Sequence, residues 1–520
     1  MKILLVMASA EYLRYYDETI RLLASRGHDV VIAVNHDRGD RKPVKLDGMA
    51  HELQARVSVI GVLPTHVPWW GRVAKGLRGT MDFVRYLDPR FADAHALRAR
   101  IKRKVLPRWL SPLDLIPSLG RGGTRRAERV LARLERSIPT APALDAIITG
   151  LAPDVIVVSP LVDAASPQVD TVKTARKLGI PVAAGIASWD NLTNKGLLRI
   201  EPDLVILWNE IQKAEAVEMH GIAPERVVVT GAQLFDRWFD RAPARTAEDF
   251  CRRVGFTAAA PFVLFTGSSS FISEATAEMA FVRQWIRSLR ESRDPAVRGM
   301  PILVRPHPYN GAAWATADVS DLPGVVVWPR GSYSPVDEQN RADYFDSMYH
   351  SAAVVGINTS AMIEAAIVGR PVLSIHAREF AGTQDGTLHF QYLLPENGGF
   401  LRVATTIEEH VQQLAGVLAD PGGVRQEIDR FVDRFIRPRG RATPATPAVA
   451  DAIESLARRP MPAWREPSFD PVKPVVWMLA ALAALAEAVS TRGRGRARKA
   501  ARMRWHHARK AIARMARTGS

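Results

Sequence analysis

Short, uninterrupted apolar runs recur along this chain, each followed by a stretch of helical spacing and then by another such run. KILLVMA (2–8), a helical pattern over 15–25 and DVVIAV (29–34) read as strand, helix and strand, with Gly27 standing where a helix C-cap belongs. DVIVVSP (154–160), a helix near 168–178 and IPVAAGIAS (180–188) repeat the unit, and DLVILW (203–208) and RVVVTG (226–231) add two strands. Strands apolar on both faces suit a parallel sheet covered by helices on each side, so residues 1–240 are predicted to form a doubly wound α/β domain. A second series follows the connection at 240–260: FVLFTGSSS (262–270), a helix over 274–291, PILVRPHP (301–308), GVVVWPR (324–330), SAAVVGIN (351–358), a helix over 360–368 and PVLSI (371–375). It predicts another open α/β domain over 241–445. Two such domains joined once leave a cleft bordered by the carboxyl ends of their strands.

Composition removes several alternatives. With 47% hydrophobic and 24% charged residues among 520, the chain is neither disordered throughout nor a polytopic membrane protein. A single cysteine, Cys251, excludes an intrachain disulfide framework and a cysteine-based zinc cluster. The N-terminal apolar run breaks at Glu11 without a signal-peptide cleavage pattern, and the expected location is the cytoplasm.

The net charge of +16 is unevenly placed: residues 491–520 hold eleven Lys or Arg and no acid, and 66–126 hold fourteen against Asp82, Asp88, Asp93 and Asp114. The remainder is therefore mildly acidic. AVADAIESLARRP (446–458) reads as a return helix, and Pro460, Pro462, Pro467 and Pro471 mark a linker, giving a 446–470 segment and a 471–520 tail. VVWMLAALAALAEAV (475–489) is shorter than the roughly 20 apolar residues of a spanning helix, so an interfacial helix is expected. The arginine-rich run beyond it carries Met503, Trp505, Ile512 and Met515. PWWGRVAKGLRGTMDFVRYL (68–87) mixes aromatic, aliphatic and basic residues in the same way. The expected partner of 68–87 and 472–520 is an anionic membrane surface, making the protein peripheral to the inner face of the membrane. A solubilising tail and a core-packed helix are the plainer readings of the two segments. Nucleic acid is not an expected partner, because no recognition module accompanies the basic runs.

Functional side chains of open α/β sheets gather in loops after strands. Gly267-Ser268-Ser269-Ser270 offers small residues before a helix, suited to an anion. Arg305 and His307, in Arg305-Pro306-His307-Pro308, suit phosphate contact, with His307 also a candidate acid or base. After the run 351–356, Asn358, Thr359 and Ser360 open a helix carrying Glu364, an order that fits a diphosphate and a ribose. In the first domain, Ser188-Trp189-Asp190-Asn191-Leu192-Thr193-Asn194-Lys195 follows a strand. Asp190 is the candidate base, and Trp189, Asn191 and Lys195 are candidate acceptor contacts, with Asx-turn chemistry as the plainer explanation of Asp190 and Asn191. Ser9 and Glu11 follow the first strand, and Asp385 and His389 lie in a later loop as further acceptor candidates. No HExxH, Walker-type or GxGxxG pattern is present, and neither metal nor cofactor is expected.

Together GHDVVIAV, VVVTGAQLFDRW (227–238), VRPHP (304–308) and VVGINTSAMIEAAIVGRPVLSI (354–375) resemble the GT-B class of nucleotide-dependent transferases. The WDN, VTG-x-x-x-FD and RPHP segments are similar to CDP-glycerol glycerophosphotransferases and capsule-polysaccharide transferases, and more distantly to nonhydrolysing UDP-N-acetylglucosamine 2-epimerases. The Asp-Tyr-Ser-Ser usual in the glycerophosphotransferases is replaced here by Gly356-Ile357-Asn358-Thr359-Ser360. The resemblance implies two Rossmann-like domains facing across a cleft, acceptor domain first and nucleotide-donor domain second, plus the basic amphipathic tail. It implies that Arg305, His307, Thr359 and Ser360 hold the donor diphosphate, that Glu364 holds the ribose, and that no metal is required. The expected activity is sugar transfer from a nucleotide-sugar to an envelope glycan or lipid-linked acceptor. Glycerophosphate transfer, 2-epimerisation and a noncatalytic envelope scaffold are the alternatives.

Overall fold

A computed structural model describes residues 1–36, 51–258, 260–331, 337–384, 386–460 and 472–484. The first sheet contains β1 (Lys2–Ser9), β2 (Asp29–His36), β3 (Val57–Val62), β4 (Val155–Ser159), β5 (Val182–Gly185), β6 (Leu204–Leu207) and β7 (Val227–Val229). Its order is β3-β2-β1-β4-β5-β6-β7, and its pairs are parallel. The second contains β8 (Phe262–Thr266), β9 (Ile302–Arg305), β10 (Val325–Val327), β11 (Ser351–Gly356), β12 (Val372–Ile375) and β13 (Arg402–Ala404), in the order β10-β9-β8-β11-β12-β13, again parallel. Each sheet therefore reverses direction of growth beside its first strand, at β1/β4 and at β8/β11, the switch points where α/β sheets bind ligands. Two doubly wound domains facing across a cleft make this a GT-B fold.

Apolar runs became strands because both faces are covered: β1, β4, β5, β6, β8 and β9 are buried almost end to end. The runs are trimmed where polar loops begin. β9 stops at Arg305 because Pro306 and Pro308 have no N–H for a ladder. The edge strands β3, half exposed, and β13, three residues long, are absent from the sequence expectation, since neither is a buried apolar run.

Between β3 and β4 lies a helical insertion: Pro68–Arg85, His95–Val105, Gly120–Arg136 and Pro142–Leu151. Its packing turns much of 68–87 inward. Met81, Phe83, Tyr86 and Leu87 are core, and two of the four basic residues face inward. Arg78 is buried between Glu135 (2.8 Å) and Asp170, while Arg85 donates to the carbonyls of Leu192 and Gly196. Arg72 and Lys75 remain exposed.

The chain returns from the second domain through 432–445. Asp236 accepts from the N–H groups of Ala445 (3.0 Å) and Thr446 (2.7 Å) and from Arg437 (2.9 Å), tying the returning chain to the outgoing one. The return helix, Ala445–Ala457, puts Val449, Ala450, Ile453 and Leu456 into the core under β1. Residues 473–484 form a further helix, whose Val476 and Ala480 pack on Trp70 and Ala74 of the insertion. The rest of the tail, including Met503, Trp505, Ile512 and Met515, lies outside the described residues, as does Asp385. Among the described residues no helix is long and apolar enough to cross a membrane.

Candidate functional site

A hollow of about 270 Å³ opens between the two sheets' carboxyl ends. From the second domain it takes Thr266 and Gly267 after β8, Arg305 to Pro308 after β9, Thr359 to Ala361 and Glu364 after β11, and Arg341 and Tyr344 from helix Glu338–Tyr349. From the first it takes Arg14 and Tyr15 after β1, Ala187 to Trp189 after β5, Trp208 after β6, and Gln233 to Phe235 after β7. Arg305, His307, Thr359, Ser360 and Glu364, widely separated in the sequence, thus meet on one wall.

Arg305 is 6% exposed, and its Nη1 has no hydrogen-bond partner. Its guanidinium sits 5.0 Å from the Tyr344 ring and 5.3 Å from that of Trp328, so aromatic faces rather than a carboxylate surround it. Burial pulls its pKa down to about 10, which leaves it cationic at neutral pH. A desolvated cation without a counter-ion is costly, and an arriving anion removes that cost.

His307 shares the wall. Its Nδ1 accepts the Tyr309 N–H at 3.1 Å, and burial with the nearby Arg14 charge lowers its pKa to about 4. The ring is therefore neutral near pH 7 with its proton on Nε2, a hydrogen-bond donor. In that form it can donate to an anion, the phosphate contact expected from sequence.

Glu364 accepts the Tyr344 hydroxyl at 2.5 Å, and burial raises its pKa to about 7. Thr359 and Ser360 reach the wall, and Thr359 Oγ1 takes the Ala361 N–H at 3.4 Å. The wall's other charges are partly cancelled. Arg237 is paired with Asp17 (3.1 Å) and Glu18, and Arg241 with Glu338, which leaves Arg14, Arg305 and Arg341 to set a positive field.

Other expectations are corrected. Gly267 lines the hollow, but a Cβ there would stand 2.6 Å from the His307 nitrogen, so the glycine serves close contact between two loops. Ser268 gives its N–H to Glu278 at 2.6 Å, and Ser268 and Ser269 lie off the wall, so this loop meets the hollow through Thr266 and Gly267. Asn358 points its amide at the carbonyl of Thr383 (2.7 Å) and braces that loop. Asp190 is also off the wall: its carboxylate accepts from Asn194 (2.9 Å) and Asn191 (3.3 Å). Asn191 Oδ1 in turn accepts the Ala187 N–H at 3.3 Å. Lys195 donates to Tyr12 (2.7 Å) and Asp163 (2.8 Å). Ser9 is buried at the end of β1, and Glu11 lies outside the hollow. Trp189 reaches the wall, whereas His389 packs edge-on against it at 4.7 Å, buried and pushed down to about 4.

Sequence reading missed Arg14, Arg237, Arg341 and Tyr344. Arg14 follows β1 by a few residues, like Ser9 and Glu11, and Arg237 lies within the VVVTGAQLFDRW run. Tyr344 sits in a helix that no strand-end rule flags.

No family model matches the chain, and no curated protein matches it. Solved structures similar to it include the UDP-GlcNAc 2-epimerase from Methanocaldococcus jannaschii, with 12% identity over 87% of this chain and 99% of that one and a TM-score of 0.48. The Neisseria meningitidis UDP-GlcNAc 2-epimerase bound to UDP-GlcNAc gives 12%, 88%, 100% and 0.48. The calicheamicin glycosyltransferase CalG4 gives 13%, 89%, 99% and 0.44.

Proposed function

We propose that this chain is a glycosyltransferase moving a sugar from a nucleotide-sugar donor onto an envelope glycan or lipid-linked acceptor at the inner face of the membrane. One observation carries the reading: the buried, unpartnered Arg305 at the carboxyl end of β9, facing the first domain across the hollow. A nucleoside diphosphate supplies the missing anion. Arg305 and the His307 Nε2–H address the diphosphate with Thr359 and Ser360, and Glu364 accepts from the ribose. In transfer, the bond between the anomeric carbon and the phosphate oxygen breaks, and the nucleoside diphosphate departs with the electron pair. The acceptor hydroxyl forms the new bond and gives its proton to a first-domain carboxylate of the hollow, Asp17 or Glu18. Arg305 and Arg14 stabilise the charge on the leaving group, a role that elsewhere falls to a metal. The carboxylates that the first domain places at the hollow are Asp17 and Glu18, and these, rather than Asp190, lie on the acceptor side.

The test is nucleotide release from UDP-, GDP-, CDP- and dTDP-linked sugars and from CDP-glycerol, with and without a membrane extract as acceptor source. Release from one nucleotide-sugar, stimulated by the extract, is expected. Release from CDP-glycerol alone makes the chain a glycerophosphotransferase, and conversion of a UDP-sugar without release makes it an epimerase. Nucleotide binding unchanged by Arg305→Ala and Glu364→Ala makes it a scaffold.

A further inference from the structure

Helix Gly120–Arg136 presents a row that the function above leaves unused. Arg125, Arg129 and Arg136 lie at i, i+4 and i+11, on one face and exposed. They rim a groove of about 720 Å³ with an apolar floor that includes Met81, Leu198 and Ile222. Arg129 Nε donates to the carbonyl of Arg125 at 3.3 Å, and none of the three forms an ion pair among the described residues.

The groove's acids do not cancel the row. Asp88 is held by Arg90 at 3.1 Å, Glu201 accepts the Ala223 N–H at 2.9 Å, and burial raises Glu128 to about 7. Glu218 is the acid left over.

An apolar row lies on the neighbouring helix. Leu134 of the arginine helix joins Trp70, Ala74, Val476 and Ala480 in one cluster, and Trp70 meets Trp477 edge-on at 5.2 Å. Arg72 Nη2 donates to the Ala483 carbonyl at 2.8 Å, fixing the end of 473–484 on the insertion. The outward side of that helix carries Val475, Trp477, Met478 and Leu482, the last three more than half exposed, and no charge occurs from 474 to 486. The chain then enters the stretch with eleven basic residues and no acid. Phosphate above and hydrocarbon below is what a bilayer surface offers to such a layer.

We propose that helices 68–85, 120–136 and 473–484 form one docking layer on an anionic bilayer, with lipid phosphate headgroups in the groove of Arg125, Arg129 and Arg136 and the 475–482 row at the acyl boundary. This rests on the membrane-side reading of the function and names the surface that performs it.

The test uses the full chain and vesicles of phosphatidylcholine with or without phosphatidylglycerol. Arg125→Gln/Arg129→Gln/Arg136→Gln is expected to weaken partition onto phosphatidylglycerol vesicles on the order of a hundredfold, from about 1 kcal/mol per cation, with an unchanged melting temperature. Trp477→Ala/Leu482→Ala is expected to weaken it as well. Because the tail's own basic run also attracts such vesicles, a local readout decides. Val130→Cys is 62% exposed on the arginine helix while native Cys251 is buried, so an environment-sensitive label there is site-specific. Its emission is expected to shift with phosphatidylglycerol vesicles and not with phosphatidylcholine. An unmoved label, or undiminished partition of the triple variant, overturns the proposal. So does a label that responds to heparin but not to vesicles, which assigns the groove to a soluble polyanion. Absence of nucleotide release with vesicle binding intact counts against the glycosyltransferase reading alone.

Discussion

The loop after β5 and the loops after β9 and β11 look alike in sequence, each a buried strand running into a cluster of polar residues, yet they do opposite things. In 186–196 the polar groups are taken up within the protein: Asp190 with Asn194 and Asn191, Lys195 with Tyr12 and Asp163, and the Asn191 carbonyl with a backbone amide. Across the cleft, Arg305 keeps an orphan Nη1 and His307 an outward Nε2–H. Internal satisfaction builds structure, whereas unsatisfied and buried groups store an affinity for something absent. Polar density after a strand therefore does not identify a site.

The most forceful way to break this contrast is to delete one buried ion from each side. Asp82, fully buried beside the 186–196 loop, accepts from Ala165 N–H (2.7 Å) and Leu197 N–H (2.9 Å) and pairs with Arg199. Asp82→Ala is expected to cost about 3–5 kcal/mol in urea unfolding, because it strands a buried guanidinium. Arg305→Met, at similar burial, is expected to leave the urea midpoint unchanged or raised. Its nucleotide affinity should fall roughly thirtyfold to a few thousandfold by calorimetric titration. Equal destabilisation by both substitutions would mean that Arg305 has an internal partner, and the contrast would be lost.

A smaller effect sharpens it. Asp190→Ala removes the acceptor of two side-chain amides and is expected to cost about 1–3 kcal/mol of stability. Nucleotide release per folded molecule should stay within a few-fold of the parent. Loss of turnover by orders of magnitude with stability intact would restore Asp190 as the base.

How much was legible follows the same division. Buried strands announce themselves as apolar runs, so the cores of both sheets were readable, while β3 and β13, exposed or three residues long, were not. Arg305, His307, Thr359, Ser360 and Glu364 could be picked out because each follows a strand that ends at the cleft. Asn358 and Lys195 satisfied the same rule, and their partners Thr383 and Asp163 lie 25 and 32 residues away. Whether a polar group is spoken for depends on tertiary neighbours that local pattern does not encode. The insertion was ambiguous for a related reason: an amphipathic basic helix reads the same whether its arginines meet lipid or, like Arg78, meet Asp170 and Glu135.

The mildest test concerns a group on the open side that is itself half satisfied. Glu364 is raised to about 7 by burial, offset in part by the Tyr344 hydroxyl and Arg14. A carboxyl raised in the folded state contributes stability that is fully present below its unfolded pKa and lost as pH rises through about 7. The ligand-free protein should therefore lose melting temperature between pH 5 and 8, and Glu364→Gln should flatten part of that slope. Ribose hydroxyls donate to the ionised form, so binding should have the opposite sign. Affinity is expected to climb by up to about tenfold per pH unit below 7 and level off above it. Of the shifted groups lining the hollow, His307, near 4, and Arg305, near 10, do not titrate in that window, so with a nucleotide-sugar ligand, whose phosphates stay ionised throughout it, the climb is expected from Glu364. Glu364→Gln should bind nucleotide with little dependence on pH. A climb that survives the substitution would place the titrating group elsewhere, and Glu364 would join the internally satisfied side of the cleft through its bond to Tyr344.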